Sequence, residues 1–324
     1  MKFIKYPSID SLKNLVKGIQ LHHDYKGKDE TGENIYEHTS PYPTFQFKGT
    51  VKAHGTNSGI IRYKDGSTVY QSRERELSLL SDNAGFAAAM MGTDIEFLFE
   101  QFPFNEYIAI YGEWCGGNIQ KGVALNQISK RLIIFGIKVD DVWVEIPSTL
   151  FDVKKNIYNV LQFPTYEIEI DFNTPEDVLE QLTNITNSIE KCCPIGKFFG
   201  VEGTGEGAVY VCTTNPDIRF KVKGAEHAVS KTKNVVDVVP ESLEGINDFV
   251  ELTVTENRLE QGLKWLKSEV SRRPESKHTG DFVKWIVSDV FKEESDTIVA
   301  NKLDAKKIRS AVSVKARNWF LNSI

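Results

Sequence analysis

The periodicity of the chain changes near residue 240, and no single layer of one element type can satisfy both halves. Upstream, short runs carry strand-like patterning. Residues 59–63 and 68–72 flank Lys64-Asp65-Gly66-Ser67 and read as a hairpin, because Asp-Gly tolerates the positive φ of a tight two-residue turn. Residues 107–114, 131–139, 142–145, 207–212 and 218–223 are further strand candidates, the second and third joined around Asp140-Asp141. Residues 176–191 predict an amphipathic helix, with Thr174 as cap, Pro175 at its first position, and Val178, Leu182, Ile185 and Ile189 on one face. Residues 84–91 and 96–101 favour helix, whereas 20–45 read as a polar, irregular lead-in. Downstream, only helical stripes recur: Leu259, Leu263, Leu266 and Val270; Phe282, Ile286 and Val290 beside Trp285; Ile308, Val312 and Trp319. Thr253 to Glu256 has the form of a capping box, and residues 240–245 read as a linker. The expected organisation is a mixed α/β body over 1–240 and an all-helical domain over 241–324.

The 324 residues are 40% hydrophobic, enough to bury a core, which excludes global disorder. A net charge of −6 excludes a protein that coats nucleic acid through bulk positive charge. Cys115, Cys192, Cys193 and Cys212 contain no CxxC pair, so neither a disulfide scaffold nor a zinc site with tetrahedral spacing is expected, and a reducing compartment fits. The N-terminus has no signal-peptide pattern, and no apolar run reaches membrane-spanning length.

Four segments could carry chemistry. Lys52-Ala53-His54-Gly55-Thr56-Asn57 places a lysine after an extended segment, with a glycine three residues on. A lysine is a nucleophile only when neutral, and glycine lets backbone approach a bulky ligand. Glu113 stands at a strand end that runs into glycines, and Glu206 at a strand start. In Arg219-Phe220-Lys221-Val222-Lys223, alternation puts Lys221 and Lys223 on one face, an arrangement suited to an anion. Taken singly, each of these is more commonly a solvated surface charge.

In this order, the segments resemble the covalent nucleotidyltransferase superfamily, which includes ATP-dependent ligases and mRNA capping enzymes. The motif around Lys52, Ser72-Arg73, Gly112-Glu113 with Ile119-Gln120-Lys121 downstream, Phe135, Glu206-Gly207 and Lys221-x-Lys223 are similar to the RNA ligase 2 family, which has bacteriophage and kinetoplastid members. The tail is similar too, at 249–253, 257–259, 280–284 and 316–319. The resemblance implies an α+β fold: a nucleotidyltransferase (ATP-grasp-like ligase) core of antiparallel sheets flanked by helices, then a small helical domain. It implies an ATP- and Mg²⁺-dependent RNA ligase that joins a 3′-hydroxyl to a 5′-phosphate through a lysyl–AMP intermediate and an adenylylated 5′ end.

In that scheme Lys52 is the nucleophile, and Lys221 and Lys223 hold the phosphate and help keep Lys52 deprotonated. Glu206 is the metal ligand, Glu113 contacts the ribose, and Phe135 stacks on adenine. Arg73 serves the AMP or the 5′-phosphate, together with His54, Gly55 and Asn57. Val51 stands where the phage enzyme has Glu, which shifts adenine contacts toward backbone atoms. The implied partner is RNA or an RNA/DNA nicked duplex, met by a monomer in the cytoplasm, virus-encoded if the phage member is the guide. A DNA ligase or GTP-dependent capping enzyme would need an oligonucleotide-binding barrel in place of the helical tail; a catalytically silent RNA-binding relative would not need all five of Lys52, Glu113, Glu206, Lys221 and Lys223.

Local charge fits a nucleic-acid groove. Five basic residues face one acid over 219–233 (Arg219, Lys221, Lys223, Lys231 and Lys233 against Glu226). Five face two over 264–277, including Arg272, and six face one over 302–317, including Lys302. The tail is expected to grip the substrate backbone.

Overall fold

The computed structural model describes residues 3–120, 122–224, 246–271, 273–294, 298 and 303–324. Lys121, Glu226, Lys231, Lys233, Arg272, Lys302 and the linker at 240–245 lie outside the described residues. The chain divides into two compact units, Met1–Gly224 and Ala225–Ile324. The expected domain boundary at 240/241 also falls outside the described residues.

The first unit begins with β1 (Asp10–Ser11), α1 (Leu12–Asp24), and the ribbon β2 (Tyr25–Lys28) and β3 (Asn34–Tyr36). Next come β4 (Thr44–Val51), β5 (Thr56–Tyr63), β6 (Thr68–Ser72), β7 (Glu76–Leu77), α2 (Phe86–Met91), β8 (Tyr107–Cys115), β9 (Arg131–Val139) and β10 (Val142–Val144). It closes with β11 (Ile157–Asn159), β12 (Thr165–Asp171), α3 (Leu179–Lys191), α4 (Pro194–Phe198), β13 (Gly207–Cys212) and β14 (Arg219–Lys223). One sheet has the order β1-β14-β13-β4-β12, antiparallel except where β1 joins β14. The other has the order β10-β9-β8-β5-β6-β7, with β11 added parallel to β9.

The second sheet is apolar on both faces. On one side Ile60, Ile108 and Ile110 pack with Phe86 and Leu98. On the other, Ile61, Ala109 and Tyr111 pack with Ile4 and Tyr6. Successive residues of a strand point to opposite faces, so β8 must be apolar at both parities, and its continuous apolar run follows.

The structure revises several local expectations. The lead-in over 20–45 is not irregular throughout: α1, capped by Ser11 through the Asn14 N–H at 3.3 Å, runs into it as far as Asp24, and β2 and β3 then pair as an antiparallel ribbon. Between β5 and β6 three residues, Lys64 to Gly66, separate Tyr63 from Ser67, whose carbonyl accepts the Tyr63 N–H at 2.9 Å. The tight two-residue turn is instead at Asp140-Asp141, both with positive φ, between the paired Val139 and Val142. Pro175 begins a 3₁₀ turn before α3, and the Thr174 side chain makes no cap bond.

The second unit comprises α5 (Ile246–Thr253), α6 (Glu256–Glu269), α7 (Thr279–Glu293) and α8 (Ala305–Ser323), with no strand among the described residues. Its core joins Phe249, Leu259, Leu266, Phe282, Ile286, Val290, Ile308, Val312 and Phe320. Val270 is exposed, and Phe320 rather than Trp319 is the fully buried end of the last stripe. Thr255, not Thr253, caps α6, while the Thr253 hydroxyl donates to the Phe249 carbonyl at 2.7 Å. No described helix is long and apolar enough to cross a membrane.

Arg258 is fully buried and binds Asp289 Oδ2 at 2.9 Å, Glu294 Oε1 at 3.1 Å and the Thr253 carbonyl at 2.6 Å. Arg258→Ala would leave two half-buried carboxylates without their counter-charge. Removing one partner of a buried pair costs about 3–5 kcal/mol, and the carboxylates' partial exposure brings the expected loss to about 2–4 kcal/mol. Denaturant unfolding followed by tryptophan fluorescence checks this; a loss under about 1 kcal/mol would show that the carboxylates stand alone in solvent.

Candidate active site

β4 belongs to one sheet and β5 to the other, and the four residues between them, Lys52, Ala53, His54 and Gly55, carry the chain across. Lys52 is fixed at the first sheet by its N–H, which donates to the Gly207 carbonyl at 2.8 Å. Gly55 is fixed at the second by donating its N–H to Glu113 Oε1 at 3.0 Å. A Cβ at Gly55 would run into the carbonyl oxygen of Trp114 and the backbone of Cys115, so only glycine allows this approach to β8.

Glu206 lies at the centre of the crossover. Its carboxylate is 2% exposed and meets Lys52 Nζ at 2.6 Å, His54 Nδ1 at 2.8 Å and Lys223 Nζ at 3.4 Å. Burial pushes this carboxyl up, but the charges of Lys52, Lys223 and His54 outweigh it and hold Glu206 well below the usual carboxylate range. An ionised carboxylate accepts only, so His54 presents Nδ1–H to it. Gly207 has φ +145°, and a Cβ there would strike the Val222 carbonyl. This glycine lets β13 start hard against β14 and sets Glu206 at the mouth of the strand pair, where its carbonyl accepts the Gly224 N–H at 2.9 Å.

Glu113 is shifted the other way. Burial raises its carboxyl, Lys52 opposes, Glu206 adds to the rise, and His54 and the Gly55 N–H oppose again. The pair thus divides into one acid held ionised and one pushed toward neutrality, a pattern characteristic of acid–base sites. Asn57 pairs directly with Glu113 across β5 and β8. Lys221 lies two residues before Lys223 in β14 and is half-buried.

The structure therefore brings Lys52, His54, Gly55, Asn57, Glu113, Glu206 and Lys223 together, with Lys221 two residues from Lys223 on the same strand. The Val51 side chain is 2% exposed and faces the interior, which leaves only its backbone for a ligand. Arg73 follows β6 and donates to Ser8 Oγ at 3.1 Å, with its Nε 3.6 Å from Glu74, rather than joining the Glu206 cluster. Phe135 is an unpaired residue of β9: Tyr111 faces Gly136 and Gly112 faces Ile134, and this bulge re-aims its side chain. It packs against Tyr6, ring centroids 4.9 Å apart.

Sequence reading missed Tyr6 and gave no role to Arg219. Arg219 is 5% exposed, donates to the Tyr6 hydroxyl at 2.9 Å and covers the Trp143 ring at 4.3 Å. Its alternation with Lys221 and Lys223 was the available signal; Tyr6 had none, because its partners are distant in sequence.

The family model for RNA ligase matches residues 45–223, more than half of the chain and every strand of this site. The chain belongs to the RNA ligase family. No curated protein sequence matches this ligase-family chain. Solved structures resemble it at low identity. Naegleria gruberi RNA ligase with PPi is 18% identical at a TM-score of 0.45, over 69% of this chain and 57% of that one. A variant of that enzyme with ATP and Mn is 18% identical at 0.46, over 69% and 56%. The chain thus spans less than two thirds of the length of these relatives.

Proposed function

We propose that the chain is an ATP-dependent polynucleotide ligase of the RNA ligase 2 type, with a nucleotidyltransferase core over its first unit. The observation that carries this is Lys52: a lysine at the crossing of two sheets, 2.6 Å from a buried carboxylate that also binds His54 and Lys223. The neutral Lys52 amine attacks the α-phosphorus of ATP; a P–N bond forms, the bond to the β-phosphate breaks, and pyrophosphate leaves. An RNA 5′-phosphate oxygen then displaces Lys52 and takes the AMP, and a 3′-hydroxyl displaces AMP to close the phosphodiester. Each step is phosphoryl transfer, in which positioning and charge stabilisation provide the catalysis.

Lys221 and Lys223 offer positive charge to the phosphates, and Glu113 and Asn57 line the neighbouring strands as ribose-side and motif contacts. Phe135 would stack on adenine and Arg73 would meet the 5′-phosphate. Glu206 fits a Mg²⁺ ion, being a hard oxygen donor held ionised, and such an ion would offset phosphate charge and serve as this carboxylate's counter-charge in place of Lys52. The proposed substrate is an RNA or RNA/DNA nicked duplex, engaged by a monomer, with nick sealing in RNA repair as the biological role.

The test is incubation with α-phosphate-labelled ATP and Mg²⁺, then with nicked duplexes varied in ribose and deoxyribose at each end. Covalent label that chases into sealed product supports the proposal. Label from GTP alone would point to capping chemistry, and absence of label across pH would refute ligation. In the same assay Gly55→Ala, which drives β8 away from the crossover, is expected to slow labelling about 10²-fold, the cost of an ångström-scale misplacement. A rate near wild type would show that the strand yields without moving Lys52.

A further inference from the structure

α1 ends in His23-Asp24, and the chain returns to that point through β2, β3 and His38. The Nδ1 atoms of His23 and His38 each lie 3.1 Å from the same Asp24 Oδ1. One ligand atom from each of the three residues falls within 4.8 Å of the others. We propose that His23, Asp24 and His38 bind a divalent transition-metal ion of the zinc class, which ties the end of α1 to the segment leading into β4.

Three observations point this way. The first is spacing. A tetrahedral zinc ion with bonds of about 2.0–2.2 Å holds its ligand atoms roughly 3.3–3.5 Å apart, close to the two N···O separations here. The second is the shell behind the ligands. Ser40 Oγ lies 3.2 Å from His23 Nε2, the ring nitrogen away from Asp24. The Tyr42 hydroxyl donates to Asp24 Oδ2 at 2.9 Å, leaving Oδ1 for the ion. With metal on Nδ1, His23 Nε2 carries the proton and donates to Ser40, the arrangement that fixes tautomer and ring orientation in histidine metal sites. The Tyr42 ring packs against both imidazoles, at 5.1 Å from His23 and 4.4 Å from His38.

The third observation is a scaffold that holds the ligands in place. The Glu37 N–H donates to the Asp24 carbonyl at 2.8 Å, fastening the His38 arm to the end of α1. Asn173 accepts the Tyr42 N–H at 2.9 Å and donates to its carbonyl at 3.0 Å, fastening Tyr42 to the turn after β12. Asp24 and His23 are about four-fifths shielded, while His38 is half exposed, which gives an ion a path in and a water the fourth position. Two imidazoles and one carboxylate favour zinc, cobalt or nickel over magnesium. None of these residues belongs to the Lys52–Glu206 cluster, so the two metal preferences are separable.

The experiment uses untagged full-length protein, stripped with chelator and held in excess Mg²⁺ so that hard-ion sites are filled. Titration with Co²⁺ is expected to give a visible absorption spectrum of tetrahedral type that saturates at one equivalent and is bleached by Zn²⁺. Zn²⁺ is expected to raise the thermal midpoint of the wild type. Asp24→Asn and His38→Ala should lose both responses, whereas Lys52→Ala should keep them. His38→Gln, a milder change at a half-exposed position, guards against misfolding of the alanine variant. The proposal is overturned if wild-type protein gives no stoichiometric tetrahedral spectrum, or if that spectrum survives in folded His38→Gln and Asp24→Asn proteins, in which case the three side chains form a hydrogen-bonded knot alone.

Discussion

Lys52→Ala is expected to take up no label from α-phosphate-labelled ATP, a loss of at least about 10³-fold, because Lys52 supplies the one amine of the 52–55 segment and the neighbouring Lys223 amine is assigned to the phosphates. Lys52→Arg should be equally inactive, since guanidinium keeps its proton. Both variants should remain folded. Glu206 keeps the His54 Nδ1–H at 2.8 Å as a hydrogen-bond donor and Lys223 Nζ at 3.4 Å as a counter-charge when Lys52 is removed. The wild-type adduct should be labile in acid and stable in alkali, as a phosphoramidate is and a serine phosphoester is not. Label that persists in Lys52→Ala with that stability would place the nucleophile elsewhere and end the ligase mechanism as drawn.

Glu206→Gln should be nearly as damaging to the chemistry and should also show in the stability. The substitution keeps the shape of the side chain but removes the negative pole on which two ammonium groups and the His54 Nδ1–H converge. Labelling is expected to fall about 10²–10³-fold, the scale of losing one preorganised charge contact. Breaking a buried ion pair costs about 3–5 kcal/mol, but Lys52, His54 and Lys223 keep 21%, 25% and 18% of their side-chain surface in solvent. That screening brings the expected loss of stability to about 1–2 kcal/mol.

The pH dependence of that loss has a definite sign. The Glu206 carboxyl is depressed in the folded protein, so its contribution is complete above the unfolded carboxylate value of about 4.3 and fades as pH falls through the lower folded value. The stability gap between wild type and Glu206→Gln should hold above about pH 5 and close in acid. A gap that instead widened on acidification would contradict the charge cluster.

How much of this was legible depended on whether a residue's partners impose a period. β8 and β9 read clearly because both faces of their sheet are covered, and the second-unit stripes read clearly because Phe282, Ile286 and Val290 all point into one core. The ribbon β2–β3 did not, because almost every residue in it is exposed and nothing selects one parity. The α1 stripe of Leu12, Leu15 and Val16 was present in the sequence but short, and the surrounding lysines and histidines masked it. At the site, the order of Lys52, Glu113, Glu206 and Lys223 could be read from the chain. The contact of His54 with Glu206 could not, since only the sheet topology brings residues 152 positions apart to 2.8 Å. His23, Asp24 and His38 were hidden for the same reason: a ribbon folds out between them, so no fixed spacing announces the cluster.

The passage of the chain from β4 to β5 has one more consequence. Lys52 to Gly55 holds the proposed nucleophile and is also one of two short covalent straps between separately hydrogen-bonded sheets, the other being residues 160–164 between β11 and β12. A change in the angle between those sheets would load both straps, and this one as torsion in four residues whose ends are pinned at Gly207 and Glu113. The proposed nucleophile is therefore expected to register changes in the packing of either sheet. Core substitutions far from it, at Phe47 in one sheet or Ile110 in the other, should alter the rate of the first chemical step before they alter the melting of the fold.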